Sequence, residues 1–85
     1  MPIKLEGIDI PQGGTTWYHK RKASRYIVCF MANLSVDPRL NGKFPATVIY
    51  QDMEARVWSR PLHEWHNSFV SEAQFNIDVM TMKER

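Results

Sequence analysis

The sequence predicts a mainly β fold, a small antiparallel barrel of about five short strands with one short helical turn. Two stretches, residues 25–32 and 46–51, are rich in β-branched and aromatic side chains, as strands are. Glycine, proline, asparagine and aspartate cluster between the predicted strands and are typical of turns. With 85 residues, the chain is too short for a series of parallel β-α-β units. These observations together indicate one antiparallel domain.

Three segments are predicted along the chain. Residues 1–15 contain two prolines and three glycines and are expected to form an extended arm, with a short edge strand near residues 3–6 and a turn at its end. Residues 16–80 are expected to form the barrel domain, and residues 81–85 a frayed tail. Residues 33–45 contain the turn formers Asp37-Pro38 and Asn41-Gly42. A loop of this length in a small domain is often functional.

The central strand is predicted at residues 25–32, after a strand at 15–19 and a basic connection at 20–24. Apolar side chains occupy both alternating faces of this run, which predicts a strand covered on both sides. A helix is the alternative, but the β-branched and aromatic content favours a strand. One face would carry Tyr26, Val28 and Phe30, and the other Ile27, Cys29 and Met31.

The second half of the chain predicts a hairpin, a helical turn and a last strand. Residues 46–51 and 55–59 would pair around the turn at 52–54. Pro61 would end the second strand and begin one or two helical turns, with Leu62 and Trp65 facing the core. Residues 74–80 alternate with period two and predict a strand. An SH3-like barrel is the first choice of architecture, and its core is expected to contain Val28, Phe30, Val48, Val57 and Phe75.

Charge and cysteine content indicate no specific partner or compartment by themselves. The net charge is +2, and Cys29 is the single cysteine, so the chain cannot form an internal disulfide. The first residues lack the apolar core of a signal peptide, and no apolar stretch is long enough to cross a bilayer. We therefore expect a cytoplasmic protein with no membrane partner.

Several residues resemble a bacterial and phage family described only as domain of unknown function 1653. They run from Trp17-Tyr18-His19-Lys20 and Arg25-Tyr26-Ile27-Val28 through Val48-Ile49-Tyr50 to Val57-Trp58-Ser59-Arg60-Pro61-Leu62. The resemblance covers about two thirds of the chain. It implies a compact β-rich domain of phage or bacterial origin, acting in the host cytoplasm if phage-encoded, and it implies no activity.

The sequence does not predict an enzyme, a cofactor or a metal site. His63 and His66 flank Glu64, but a zinc site needs three or four ligands at a recognisable spacing. Cys29 lies in the most apolar strand, where its thiolate would be disfavoured. No nucleophile-elbow or phosphate-loop motif is present. Surface or partly packed histidines are therefore expected.

A ligand-binding face is predicted on the strand before Pro61. Arg56, Trp58 and Arg60 alternate there and would share one face. An indole beside guanidinium groups can stack on a base or bind a phosphate, although the same residues could instead cover the end of the barrel. Tyr18, Tyr50, Lys20 and Arg25 are expected to assist.

Two functions follow as hypotheses. The first is a non-catalytic module that binds or sequesters a nucleotide or nucleic acid by stacking and phosphate neutralisation. The alternative is a protein-interaction module that captures or inhibits a host protein. The oligomeric state is left open, with an oligomer of identical chains among the alternatives.

Overall fold

A computed structural model describes residues 4–34 and 42–83 and shows a mainly β protein. The strands are β1 (Lys4–Leu5), β2 (Ile8–Asp9), β3 (Thr16–His19), β4 (Arg25–Ala32), β5 (Thr47–Asp52), β6 (Val57–Pro61) and β7 (Phe69–Ser71). Helix α1 (Leu62–Ser68) joins β6 to β7, and α2 (Glu72–Lys83) follows β7. A five-stranded antiparallel sheet has the order β6-β5-β4-β3-β7, and β1 and β2 form a separate hairpin. No closed barrel is present in the described residues.

The predicted hairpin and helical turn are confirmed. Strands β5 and β6 pair antiparallel, with Thr47 opposite Pro61 and Gln51 opposite Val57. The chain then enters α1, whose seven residues bury Leu62 and Trp65. The three-residue spacing places these two side chains on one side of the helix, toward the sheet.

The core is an aromatic cluster between one face of the sheet and α1. We call this the inner face. The rings of Trp65 and Phe69 stack with centroids 4.1 Å apart, and Tyr50 meets both edge to face. Val28 and Val48 are fully buried beneath them, as predicted. In so small a domain these few large side chains supply most of the apolar burial.

Phe30 and Val57 were expected in the core, but they are 59% and 65% exposed. A β-bulge between Val28 and Phe30 shifts the register of β4 against β5. Since one extra residue reverses every later side chain, Met31 instead of Phe30 lies opposite buried Val48. Val57 lies on the opposite face of the sheet, which we call the outer face.

The predicted strand at residues 74–80 is wrong, because these residues belong to α2. Ser71 and Gln74 have the spacing of a helix capping box, and the Gln74 N–H donates to Ser71 Oγ at 3.2 Å. One turn later, Gln74 donates to Asp78 at 2.9 Å. These local hydrogen bonds outweigh the period-two pattern. Residues 81–83, expected in the frayed tail, belong to α2, and residues 84–85 lie outside the described chain.

The N-terminal arm is folded against β4. Gly14 N–H donates to the Val28 carbonyl at 2.7 Å, and Val28 N–H donates to the Thr15 carbonyl at 2.9 Å. A side chain at Gly13 would place its Cβ 2.6 Å from the Cys29 carbonyl oxygen, so only glycine fits there without a shift. The arm is thus part of the domain, and its first residues form the β1-β2 hairpin.

The predicted loop at residues 33–45 lies mostly outside the described chain, because residues 35–41 are not described. Neither helix of the described part is long and apolar enough to cross a membrane.

Candidate anion-binding site

Strand β6 places Trp58 and Arg60 on the inner face of the sheet. Trp58 lies opposite Tyr50, and Arg60 lies opposite Val48. Their shared face is the one that the period-two spacing predicts. Because β6 is an edge strand, Trp58 keeps 49% of its surface exposed even though its cross-strand partner Tyr50 is buried.

Arg60 reaches from this edge strand to the other edge of the sheet. Its guanidinium carbon lies 5.4 Å from the ring centroid of Phe69, the first residue of β7. Nη1 donates to Ser68 Oγ at 3.3 Å, and the buried Nε–H has no hydrogen-bond partner. No carboxylate within the described residues forms an ion pair with Arg60. The guanidinium therefore keeps an unneutralised charge and unused donors.

His19 contacts the same phenylalanine. It is opposite Phe69 in the β3-β7 ladder, and the two rings meet edge to face at 5.4 Å. His19 Nδ1 accepts from the backbone N–H groups of Arg21 and Lys22, each at 3.2 Å. These bonds leave Nε2 to carry the ring proton in the neutral form. The Lys20 N–H donates to the Ser68 carbonyl at 2.8 Å, which fixes the basic turn against α1.

The surroundings of His19 favour its neutral form. Its partial burial, followed by the charges of Lys22, Arg60 and Arg21, lowers the pKa of His19 below its ordinary value. All three charges repel a proton, and none is offset by a nearby carboxylate among the ion pairs of the described chain. We call this group the basic corner: His19, Lys20, Arg21, Lys22 and Arg60.

Arg56 belongs to a different cluster, centred on Asp52. The Asp52 carboxylate accepts from Arg56 Nε at 2.8 Å and from Trp58 Nε1 at 3.1 Å. It also accepts from the backbone N–H groups of Glu54 and Arg56 at 2.9 and 3.0 Å. Burial alone would raise the pKa of Asp52, but the hydrogen bonds from Trp58, Arg56 and Glu54 outweigh it and lower the pKa to about 2.

This cluster has two consequences for the predicted binding face. The charge of Arg56 is shared between Asp52 and Glu54, whose carboxylate lies 3.4 Å from Nη2. The indole of Trp58 is held in one orientation by its bond to Asp52. Arg56 is thus engaged within the hairpin, whereas Trp58 presents a fixed, half-exposed ring two residues from Arg60.

The remaining predicted residues do not converge on one surface. Tyr50 is 5% exposed and lies in the core. Tyr18 points to the outer face, where its ring stacks on Phe75 at 4.0 Å. Arg25, opposite Tyr18, also lies on the outer face and donates from Nε to Met53 Sδ at 3.3 Å. Of these four residues, Lys20 alone lies in the basic corner.

Sequence reasoning missed His19 of the basic corner and also Ser68, which accepts a hydrogen bond from Arg60. His19 joins the corner through its pairing with Phe69 of β7, fifty residues later in the chain. Ser68 carries no motif. The one usable signal was the run of basic residues immediately after His19.

The histidines of α1 do not converge. His63 Nε2 lies 4.0 Å from Glu64, whereas His66 Nε2 lies 2.7 Å from the Asp9 carbonyl and must donate to it. Within residues 4–34 and 42–83, no three His, Cys, Asp or Glu side chains are grouped to hold a metal ion.

Comparison with protein-family models, with curated proteins and with solved structures gives no match. The resemblance to domain of unknown function 1653 therefore stays a prediction.

Proposed function

We propose that this protein is a non-catalytic module that binds a phosphate-bearing ligand, a nucleotide or nucleic acid, at the basic corner. The observation that carries the proposal is that Arg56, in the β5-β6 turn, is neutralised, whereas Arg60, on β6, is not. Asp52 is bound by Arg56 and Trp58, while Arg60 has no carboxylate partner in the described chain. An unpaired guanidinium fixed over an aromatic ring is suited to a phosphate, because it can donate two parallel hydrogen bonds.

The mechanism is charge neutralisation with stacking. Arg60 and the backbone-fixed turn at residues 20–22 supply positive charge, and His19 Nε2 supplies a further donor. The exposed ring of Trp58 offers a flat surface for a base, and stacking of this kind is worth about 1–3 kcal/mol per base. No covalent step is part of the proposal.

The fold supports a partly open SH3-like barrel as the architecture. The strand order β6-β5-β4-β3-β7 makes a four-stranded meander followed by a return strand beside β3, with a short helix before it. The contact of Arg60 with Phe69 and Ser68 spans the gap between the two edge strands. The basic corner then lies at the opening of the barrel. A phage or bacterial origin and action in the host cytoplasm remain part of the proposal.

Equilibrium titration tests the proposal with two ligands, a nucleoside triphosphate and a short single-stranded oligonucleotide, each at several salt concentrations. We expect affinity that falls steeply with salt, since phosphate contacts release counterions. A preference for the oligonucleotide would identify a nucleic acid as the ligand, and equal affinity per phosphate would favour a nucleotide. Binding of neither ligand at low salt would contradict the proposal.

A protein-interaction module is the second candidate, favoured by the exposed apolar side chains of the outer face. Phe30 and Val57 are both more than half exposed there. Such a surface would bind a protein with little dependence on salt and would leave nucleotides unbound.

A further inference from the structure

Trp58 is the most exposed of the three tryptophans, and one hydrogen bond holds its ring. Trp65 is fully buried, and Trp17 packs edge to face against it with ring centroids 5.6 Å apart. Trp58 keeps 49% of its surface exposed on the edge strand β6, and within residues 4–34 and 42–83 no other aromatic ring packs on it. Its orientation therefore depends on the bond that its indole N–H donates to Asp52 at 3.1 Å.

The two oxygens of the Asp52 carboxylate make different contacts. Oδ1 accepts from the backbone N–H groups of Glu54 and Arg56 at 2.9 and 3.0 Å, and these bonds stabilise the turn between β5 and β6. Oδ2 accepts from Trp58 Nε1 and from Arg56 Nε instead. Turn formation therefore explains the contacts of Oδ1, whereas the contact of Oδ2 with Trp58 joins the exposed indole to a fixed part of the backbone.

The charge of Asp52 does not oppose an anion beside Trp58. Its Oδ2 lies 2.8 Å from Arg56 Nε, so the carboxylate is neutralised within the hairpin. Arg60 follows Trp58 by two residues on the same face of β6, about 6.7 Å along the strand. A tryptophan ring held in place is thus next to a guanidinium that has no carboxylate partner in the described chain.

We propose that Asp52 is a positioning residue, which holds the Trp58 ring for stacking on the base of a bound nucleotide or nucleic acid. This inference rests on the function proposed above. A side chain that is already fixed loses little rotamer freedom when a ligand binds, and this preorganisation is worth about twofold to about tenfold in affinity. The part of the affinity that comes from the base therefore depends on Asp52 and Trp58, and the part that comes from phosphate depends on Arg60.

The preferred ligand then carries a flat aromatic ring in addition to its phosphates. A bare polyphosphate contacts the basic corner alone and binds more weakly, because it cannot stack on Trp58. Stacking tolerates any base, since every base has a π-face. We therefore expect the four common nucleoside triphosphates to bind with similar affinity, and each of them to bind more tightly than a polyphosphate of the same length.

Calorimetric titration with a nucleoside triphosphate and with inorganic tripolyphosphate separates the two parts of the affinity, because only the first ligand carries a base. We expect the wild type to bind the nucleoside triphosphate about fivefold or more tightly than tripolyphosphate. Asp52→Asn should reduce this preference by about twofold to about tenfold. Its amide oxygen can still accept from the backbone of the turn, but its amide nitrogen then faces the indole N–H of Trp58, donor against donor.

Glu54→Gln is the matched control for charge. It removes one negative charge from the same turn, where Glu54 forms an ion pair with Arg56 and no hydrogen bond with Trp58. Loss of this charge favours both anionic ligands alike, so Glu54→Gln should keep the preference that Asp52→Asn loses. Arg60→Ala should weaken the binding of both ligands. Trp58→Phe removes the hydrogen bond to Asp52 from its other end and should also lower the preference, which provides the test if Asp52→Asn does not fold.

The indole N–H signals in an NMR spectrum show whether the ring has been released. Asp52→Asn should shift the signal of Trp58 and leave those of Trp17 and Trp65 in place, which also controls for folding. A preference for the nucleoside triphosphate that survives in both Asp52→Asn and Trp58→Phe would overturn the role of Asp52 and leave the anion site intact. Equal wild-type affinity for the two ligands would have the same meaning. Binding of neither ligand would overturn the proposed function and this inference with it.

Discussion

The guanidinium of Arg60 lies over the ring of Phe69, 5.4 Å from its centroid, and joins the two edge strands of an open sheet. His19 contacts the same ring and is itself close to Lys22 and Arg21. The positive charges of Lys22, Arg60 and Arg21 thus all act on His19, and no carboxylate among the described residues forms an ion pair with them. Repulsion between these charges destabilises the protein when no anion is bound, and a bound anion relieves it.

The titration of His19 should report this charge directly. Its pKa is expected below the ordinary value of 6.5, and Arg60→Ala should raise it by removing one repelling charge. Saturation with a nucleoside triphosphate should also raise the pKa of His19, because the negative phosphates offset the positive charge of the basic corner. Proton NMR of the imidazole measures this pKa in the free wild type, in Arg60→Ala and in the saturated protein. An unchanged pKa in Arg60→Ala would contradict the electrostatic coupling.

The same shift predicts how stability depends on pH. Since the pKa of His19 is lowered by folding, the unfolded chain binds the proton more readily. The contribution of neutral His19 is therefore complete above its unfolded pKa of about 6.5 and is lost as pH falls from there through the folded pKa. Urea unfolding at a series of pH values measures this, and His19→Gln should remove the dependence in that range.

Asp52 should stabilise the β5-β6 hairpin in its ionised form. Its pKa falls from 3.8 to about 2 in the folded protein, so the stabilisation is present above about pH 4 and is lost as pH falls toward 2. Asp52→Asn should lower the melting temperature at neutral pH and flatten the acid transition between these values. Thermal melts at several pH values provide the measurement; equal pH dependence in both proteins would count against the role assigned to Asp52.

Two phenylalanines of opposite burial provide a matched pair for the core. Phe69→Ala removes a side chain that is 2% exposed and contacts the Trp65 ring, and it should cost about 3–5 kcal/mol in the free energy of unfolding. Phe30→Ala alters an exposed side chain and should change stability by about 0.5 kcal/mol or less. Chemical denaturation compares them. A larger loss of stability for Phe30→Ala than for Phe69→Ala would show that the core lies on the outer face of the sheet instead.

Gly13 should be intolerant of any side chain. Gly13→Ala would bring a Cβ within 2.6 Å of the Cys29 backbone oxygen, so the arm or the bulge must shift, at a cost of about 1–3 kcal/mol. Gly42→Ala is the control, since its Cβ would meet nothing within 4 Å. Their melting temperatures should differ clearly, and equal values would show that the arm does not pack against β4.

Much of the fold could be predicted from local pattern, and the errors have identifiable causes. β4, β5, β6 and α1 were recognisable because residue type, periodicity and Pro61 agreed with the final structure. The bulge at Cys29 carries no sequence signal, yet it reverses the faces of Phe30 and Met31. In α2, the alternating side chains indicated a strand, but the capping residues Ser71 and Gln74 favour a helix.

The candidate site was predictable only where it lies on a single strand. Trp58 and Arg60 share a face by spacing alone. The spacing of residues does not specify the turn that pairs Arg56 with Asp52. It also does not specify the core that buries Tyr50. His19 joins the site only through the β3-β7 pairing, which brings distant segments together.

The most direct test of anion binding at the basic corner is a calorimetric titration of Arg60→Ala with the nucleoside triphosphate, beside the wild type and Arg25→Ala. Arg25 carries the same charge on the outer face, so its variant controls for net charge. A charge-assisted contact is worth about 1.5–3 kcal/mol, which predicts that Arg60→Ala binds about tenfold to about 150-fold more weakly. Arg60→Lys should recover part of this loss, and Arg25→Ala should bind nearly as well as the wild type. Equal losses in Arg60→Ala and Arg25→Ala would show a response to net charge alone and would contradict a site at the basic corner.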